Sequence, residues 1–121
     1  MRGTQLRGTA DFLYRSGAKE LHIRLACPPL LYGCPYLNFS RSSSELELIA
    51  RRKVAVLEGE GYESKLQAYT DPDSPEYAAM IEAIRSELQF TSLRYNRLDD
   101  MLAATGVPAC KCCTYCWNGK K

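Results

Sequence analysis

Cysteine is the residue type with the most chemical potential in this 121-residue chain, which contains six of them. Four lie within the C-terminal tail and two flank a proline-rich loop: Cys110, Cys112, Cys113, Cys116, Cys27 and Cys34. The tail contains C-x-x-C spacing twice, which lets two thiolates reach one metal ion or one face of a cluster. The pattern therefore predicts a metal centre. It leaves an iron–sulfur cluster and a zinc ion both open, because four thiolates satisfy either.

Two other interpretations of the cysteines are weaker. Free cysteines can pack as small hydrophobic side chains, but rarely at this density. Structural disulfides are disfavoured by the expected compartment: residues 1–15 lack the apolar core of a secretory signal, and no apolar run approaches the ~18 residues of a membrane span. We therefore expect a cytoplasmic protein, in which clustered cysteines more often bind metal. The single histidine, His22, is expected to be a packed or surface residue rather than a ligand.

Composition places the chain among ordinary globular domains. It is 45% hydrophobic and 25% charged, so a packed core is expected over one domain, residues 1–121. The net charge of +2 is nearly neutral, and we predict binding to neither nucleic acid nor a membrane. The basic run of Arg51, Arg52 and Lys53 is predicted to be a solvated helix face.

The N-terminal half predicts helix, strand, loop and helix. Apolar spacing over 5–16 indicates a helix that ends at Gly17, and alternation over 21–25 indicates a strand. Prolines then begin a loop. Ser42 and Glu45 form a capping box that opens a helix to about residue 57. The buried stripe expected for that helix consists of Leu46, Ile49, the stem of Lys53, Val56 and Leu57.

The C-terminal half predicts a strong helix, a short strand and a final helix before the tail. Ser74 and Pro75 form a helix start, and the apolar stripe comprises Tyr77, Met80, Ile81, Ile84 and Leu88. Residues 92–95 form the second strand, and a last helix turns Leu98, Met101 and Leu102 inward. The fold class is thus helix-rich α/β with few strands and a C-terminal cysteine-rich tail. Two strands are too few for an independently stable sheet.

Several segments, read in order, resemble amidophosphoribosyltransferase. The run MRGTQ at 1–5 is similar to the end of that family's phosphoribosyl pyrophosphate loop, and GAKELHIR at 17–24 is similar to one of its strands. YGCPY at 32–36, ELELIA at 45–50 and TSLRY at 91–95 also resemble family segments, and CTYCWNGK at 113–120 resembles its terminal cysteine motif. Residues 1–59 and 91–121 carry the resemblance, whereas the helical segment 60–90 has no evident counterpart.

The resemblance implies a partial phosphoribosyltransferase-like unit with a 4Fe–4S cluster. The family positions that correspond to Cys34, Cys113 and Cys116 are cluster ligands. The family's fourth ligand lies upstream of the residues present here, so we predict Cys27 in that place, with Cys110 or Cys112 as alternatives. The resemblance also implies weak phosphate binding by residues at the N-terminus, namely Arg2, Gly3, Thr4 and Gln5.

The departures from the family limit the expected activity. The glutaminase domain is absent, and the acidic pair of the phosphoribosyl pyrophosphate motif would precede Met1. We therefore expect no amidotransferase activity from the chain alone, and no catalytic residue is assigned. Its expected partner is another protein chain or a second copy of itself. The alternatives are a zinc-binding interaction module, or a fragment or subunit of an active enzyme of purine biosynthesis.

Overall fold

A computed structural model describes residues 3–37 and 45–120 of the protein. Within these ranges, five α-helices and two strands are interspersed with three 3-10 helices. In chain order the α-helices and strands are α1 (Thr4–Arg15), β1 (His22–Leu25), α2 (Ile49–Glu58), α3 (Pro75–Leu88), β2 (Ser92–Tyr95), α4 (Leu98–Ala104) and α5 (Tyr115–Asn118). The 3-10 helices are Glu45–Glu47, Tyr62–Thr70 and Ala109–Lys111. The predicted helix-rich α/β class is confirmed.

The two predicted strands pair with each other in parallel, with His22 opposite Ser92 and Leu25 opposite Tyr95. A parallel pair needs a long crossover connection, which α2 and α3 provide between β1 and β2. One face of the sheet packs on the core through Ile23 and Leu93, because successive side chains of a strand alternate between faces.

Helix α3 lies at the centre of the core, as its sequence pattern predicted. The Ser74 hydroxyl accepts a hydrogen bond from the Tyr77 amide at 3.1 Å, and Pro75 occupies the first turn. Met80 and Ile84 are completely buried. The helix contacts α2, α1 and β2 as well as the 3-10 helix Tyr62–Thr70, so its apolar stripe is the surface on which the other elements assemble.

Helix α2 differs from its prediction in where it starts and in which side it buries. Ser42 lies outside the described residues, and Glu45 belongs to a separate 3-10 turn, so the helix itself begins at Ile49. Ile49 is buried as expected, but Leu46, Val56 and Leu57 are exposed by 43%, 71% and 46%. The prediction for these three residues is wrong, because Leu46 precedes the helix and α2 packs on α3 through its first two turns, so that Val56 and Leu57 near its end face outward.

The buried face of α2 is instead formed by Ile49, Ala50, Arg51 and Val54. Arg51 is 7% exposed, so the predicted solvated face is wrong for this residue. Its guanidinium is buried because partners surround it, as described below. Lys53 keeps its side chain largely covered and pairs with Glu87, in agreement with the buried stem that was predicted.

The remaining elements complete the core. Ala10 of α1 is buried, and Leu6, Leu13 and Tyr14 pack around it. In α4, Leu98, Met101 and Leu102 are half-buried rather than fully inward. Across residues 3–37 and 45–120, no helix combines the length and apolar character needed to cross a membrane.

Candidate metal centre

The C-terminal tail is held against the loop that follows β1. The amides of Leu31 and Tyr32 both donate to the carbonyl oxygen of Cys116, at 3.0 and 3.1 Å. The side-chain amide of Gln67 donates to the Tyr32 hydroxyl at 2.9 Å and to the Asn118 carbonyl at 3.0 Å. These backbone and side-chain contacts bring two distant parts of the sequence together.

Cys34 and Cys116 meet at this junction. Cys34 is 7% exposed, and the Leu37 amide donates to its sulfur at 3.3 Å. Burial, followed by the Cys34 hydrogen bond and the negative charges of Cys34 and Cys113, raises the pKa of Cys116 to about 11. The protein alone thus favours a protonated Cys116, and a bound metal would have to displace that proton.

The other cysteines are more accessible. Cys27, Cys110 and Cys113 are exposed and Cys112 is half-buried. All six cysteines lie in the described residues, and none of them forms a disulfide there. Among residues 3–37 and 45–120, no group of three or more His, Cys, Asp or Glu side chains is close enough to hold a metal ion. The structure thus brings Cys34 and Cys116 together, while the complete ligand set stays a prediction.

Aromatic residues flank both cysteines in the sequence: Tyr32 precedes Cys34 by two positions, and Tyr115 and Trp117 lie on either side of Cys116. The rings of Tyr32 and Tyr115 lie 5.7 Å apart and are tilted by 45°. Trp117 is half-buried and borders a small cavity with Pro28 and Tyr69. Its indole Nε1 is buried and has no hydrogen-bond partner in the described part of the chain.

A buried arginine lies behind the cysteine loop. Arg51 Nη1 donates to the Leu31 carbonyl oxygen at 3.1 Å, and the guanidinium also forms an ion pair with Glu45. The guanidinium carbon lies 5.7 Å from the ring centre of Tyr32 and 5.6 Å from that of Tyr62, within cation–π range. Arg51 therefore connects α2 to the loop that carries Cys34.

The predicted phosphate-binding residues lie at the start of α1. Arg2 is outside the described residues, Gly3 is buried, and Thr4 and Gln5 are exposed. A Cβ at Gly3 would lie 2.7 Å from Ile49 Cδ1, so this glycine allows α1 to approach α2. Phosphate binding there stays a prediction.

His22 is a surface residue, as predicted. Its side chain is 51% exposed. Its two ring nitrogens lie 2.8 Å from the Ser92 hydroxyl and 3.0 Å from a Glu20 carboxylate oxygen. Both ring nitrogens thus contact neighbouring polar groups on the outer face of the sheet.

Comparison with known proteins identifies one group of relatives. The chain is 32% identical over 121 residues to the amidophosphoribosyltransferase of Mycobacterium tuberculosis, a match that covers 99% of this chain and 18% of that protein. It is 30% identical over 120 residues to the chloroplastic amidophosphoribosyltransferase of Glycine max and 27% identical over 129 residues to the Homo sapiens enzyme. The chain is related to part of an amidophosphoribosyltransferase. The predicted resemblance is confirmed.

Each match covers nearly all of this chain but only a small part of the relative. They cover 99% of this chain but only 16% of the Glycine max amidophosphoribosyltransferase and 23% of the human one. The chain thus spans less than a quarter of each of these amidophosphoribosyltransferases. No protein-family model and no solved structure matches it.

Arg51 and Gln67 are the two residues of the site that sequence reasoning missed. Arg51 stands between the apolar residues Ala50 and Val54, on the face that α2 buries, and Glu45 precedes it in the chain. This pattern could have indicated a buried ion pair between Arg51 and Glu45. Gln67 offered no comparable signal, since a polar residue in a 3-10 helix has no spacing that indicates a distant partner.

Proposed function

We propose that this chain is an amidophosphoribosyltransferase-related segment that binds a 4Fe–4S cluster through cysteines. Cys34, Cys113 and Cys116 supply three of the ligands. The observation that supports this is the contact between the Cys34 loop and the tail, which are distant in sequence: the amides of Leu31 and Tyr32 both donate to the carbonyl oxygen of Cys116. Cys113 joins them because C-x-x-C spacing ties it to Cys116.

The surroundings of the thiol pair suit a cluster. An amide hydrogen bond to a ligand sulfur, such as that from Leu37 to Cys34, stabilises the thiolate and tunes the potential. A four-iron cluster is wider than a single ion, so its ligands do not have to converge on one point. Cys27 is the proposed fourth ligand, with Cys110 and Cys112 as alternatives. When bound, the cluster would supply a redox-active covalent link between the loop and the tail.

The proposed link to purine biosynthesis rests on the relatives and not on a catalytic site assigned to this chain. The relatives that carry the name amidophosphoribosyltransferase are much longer than this chain, which covers 18% of the Mycobacterium tuberculosis protein and 16% of the Glycine max protein. We therefore propose a cytoplasmic cluster-binding unit that docks with another protein chain or with a second copy of itself. It does not transfer an amino group on its own.

Anaerobic purification followed by iron, sulfide and zinc analysis tests the proposal. We expect about four irons and four sulfides per chain and a broad visible absorption, as a 4Fe–4S cluster requires. Replacement of Cys34 or Cys116 by serine should abolish both. One zinc per chain without sulfide would indicate a zinc site and refute the cluster. A metal-free wild-type protein would refute both kinds of metal site.

The fourth ligand is identified by three further variants, Cys27→Ser, Cys110→Ser and Cys112→Ser. One of them should lose most of the iron, while the other two retain it and act as matched controls for the loss of a thiol. If Cys27→Ser retains iron and Cys110→Ser or Cys112→Ser does not, the preferred assignment of Cys27 is wrong.

A further inference from the structure

A single peptide group connects the buried arginine to the thiol pair. The carbonyl oxygen of Leu31 accepts from Arg51 Nη1 at 3.1 Å. The amide of Tyr32, which belongs to the same peptide unit, donates to the carbonyl of Cys116 at 3.1 Å. Arg51, this peptide and Cys116 thus form a continuous chain of hydrogen bonds from helix α2 to the tail.

The donor at the start of this chain is a permanent cation. An arginine side chain stays protonated in proteins, so its hydrogen bond to Leu31 is charge-assisted and stronger than a neutral one. Polarisation of the peptide by Arg51 also strengthens the bond that its amide makes to Cys116, since linked hydrogen bonds reinforce one another in a buried setting.

Further contacts of Arg51 fix the same loop. Its guanidinium lies over the rings of Tyr32 and Tyr62, and it pairs with Glu45. A planar guanidinium can stack on a ring while it donates hydrogen bonds in its own plane, whereas a lysine ammonium has donors but no planar face. The residues held by Arg51, Leu31 and Tyr32, precede Cys34 by three and two positions.

We propose that Arg51 is a positioning residue that holds the Cys34 loop against the Cys116 segment through the peptide between Leu31 and Tyr32. The inference rests on the proposed function in one respect, namely that Cys34 and Cys116 are cluster ligands. The hydrogen bonds that carry the juxtaposition join the Arg51 guanidinium and backbone groups, and no sulfur takes part in them. It can therefore be tested without a cluster.

Crosslinking of the metal-free, reduced protein measures the juxtaposition directly. Dibromobimane joins two thiols that lie side by side, and peptide mass spectrometry identifies which cysteines are joined. We expect a Cys34–Cys116 crosslink in the wild type. Its rate should fall roughly tenfold in Arg51→Met, the factor expected when a hydrogen bond to a charged group is lost. Glu45, 43% exposed at its side chain, remains solvated in that variant.

Arg52→Met is the matched control. Arg52 is the next residue of the same helix, but it donates to Glu87 and to the Leu46 carbonyl rather than to the cysteine loop. It should crosslink at the wild-type rate. Circular dichroism verifies that each variant is folded. If Arg51→Met does not fold, Arg51→Lys is used, and its rate should lie between those of wild type and an unfolded chain, since lysine keeps a donor but not the stacking.

The outcomes separate this inference from the proposed function. A wild-type crosslinking rate in folded Arg51→Met, or in Arg51→Lys where that variant is used, would overturn the positioning role, as would the absence of a Cys34–Cys116 crosslink in the wild type. A wild-type protein that crosslinks and responds to Arg51 as expected, yet binds no iron, would refute the cluster and leave the positioning role supported.

Discussion

Gly119 lies directly against the ring of Tyr32. A Cβ atom built at position 119 would be 2.7 Å from Tyr32 Cζ and 3.0 Å from Cε1, closer than real contacts allow. Gly119 also has a φ of +71°, in the left-handed region that ends α5. The tail therefore closes over the cysteine loop at a position where both the backbone and the available space require glycine.

Replacement of Gly119 by alanine should loosen the tail. The left-handed backbone and the collision with Tyr32 should together lower the free energy of unfolding by about 2 kcal/mol or more. Chemical denaturation measures the change. Gly106→Ala is the control, because Gly106 has a similar φ of +69° with nothing within 4 Å of an added Cβ. It should cost only about 1 kcal/mol, and equal costs at both positions would contradict the close contact with Tyr32.

Alanine substitution should lower the stability by very different amounts at two apolar positions, although the sequence predicted that both would be buried. Ile84 is completely buried, whereas Val56 is 71% exposed. Ile84→Ala should lower the free energy of unfolding by about 2–5 kcal/mol through lost burial and cavity formation. Val56→Ala should change it by less than about 0.5 kcal/mol, as exposed substitutions do. Similar losses for both variants in denaturant titrations would argue against the observed face of α2.

The ion pair between Asp73 and Arg97 predicts a dependence of stability on acid. Arg97 donates two hydrogen bonds to the carboxylate, at 3.0 and 2.7 Å, and these bonds together with its charge lower the pKa of Asp73. A carboxyl whose pKa is lowered on folding stabilises the protein above its ordinary pKa of about 3.9. This contribution disappears as the pH falls through the lowered value.

Melting temperatures measured from neutral to acid pH test this pair. Asp73→Asn should melt slightly below the wild type at neutral pH, and the two curves should converge in acid. The effect is small because the pair is exposed to solvent. Asp11→Asn, an exposed aspartate on α1, should follow the wild-type curve throughout. A constant offset between Asp73→Asn and wild type at every pH would show that the carboxylate charge is not the cause.

Replacement of Cys113 by serine should affect stability only when metal is bound. Metal affinity adds to folding free energy when the ligands come from separate parts of a chain, so the variant should lose iron and its melting temperature should fall. Because Cys113 is exposed, the metal-free wild type and metal-free variant should melt within about 2 °C of each other, the shift expected for a minor surface change. Unchanged iron in Cys113→Ser would remove this residue from the site.

The isolated chain should not consume phosphoribosyl pyrophosphate. We expect no pyrophosphate release with glutamine or with ammonia as the nitrogen donor, since these 121 residues match only 18% of the Mycobacterium tuberculosis amidophosphoribosyltransferase. An assay of the cluster-loaded protein measures this. Turnover above the level of a Cys34→Ser, Cys116→Ser double variant would contradict the prediction.

Local patterns determined much of the fold. Helix α3 could be predicted in full, because Ser74, Pro75 and the spacing of Met80, Ile84 and Leu88 act within one element. Strand β1 could be predicted from the alternation of Leu21, Ile23 and Leu25, and β2 was also predicted at its observed bounds. The buried side of helix α2 could not be predicted in the same way, because it depends on the elements that pack against the helix. Arg51 faces inward only because Glu45, the Leu31 carbonyl and two tyrosine rings compensate a buried charge.

The sequence by itself determined which residues could bind metal and which family they resemble, since both depend on residue type and short spacing. The tertiary structure decided which cysteines are brought together: the loop that carries Cys34 is hydrogen-bonded to Cys116 through the amides of Leu31 and Tyr32, while Cys27 and Cys110 are exposed. It also placed Arg51 and Gln67 around the site. Contacts between residues distant in sequence arise from the packing of α2, the cysteine loop and the tail, and no periodicity along the chain encodes them.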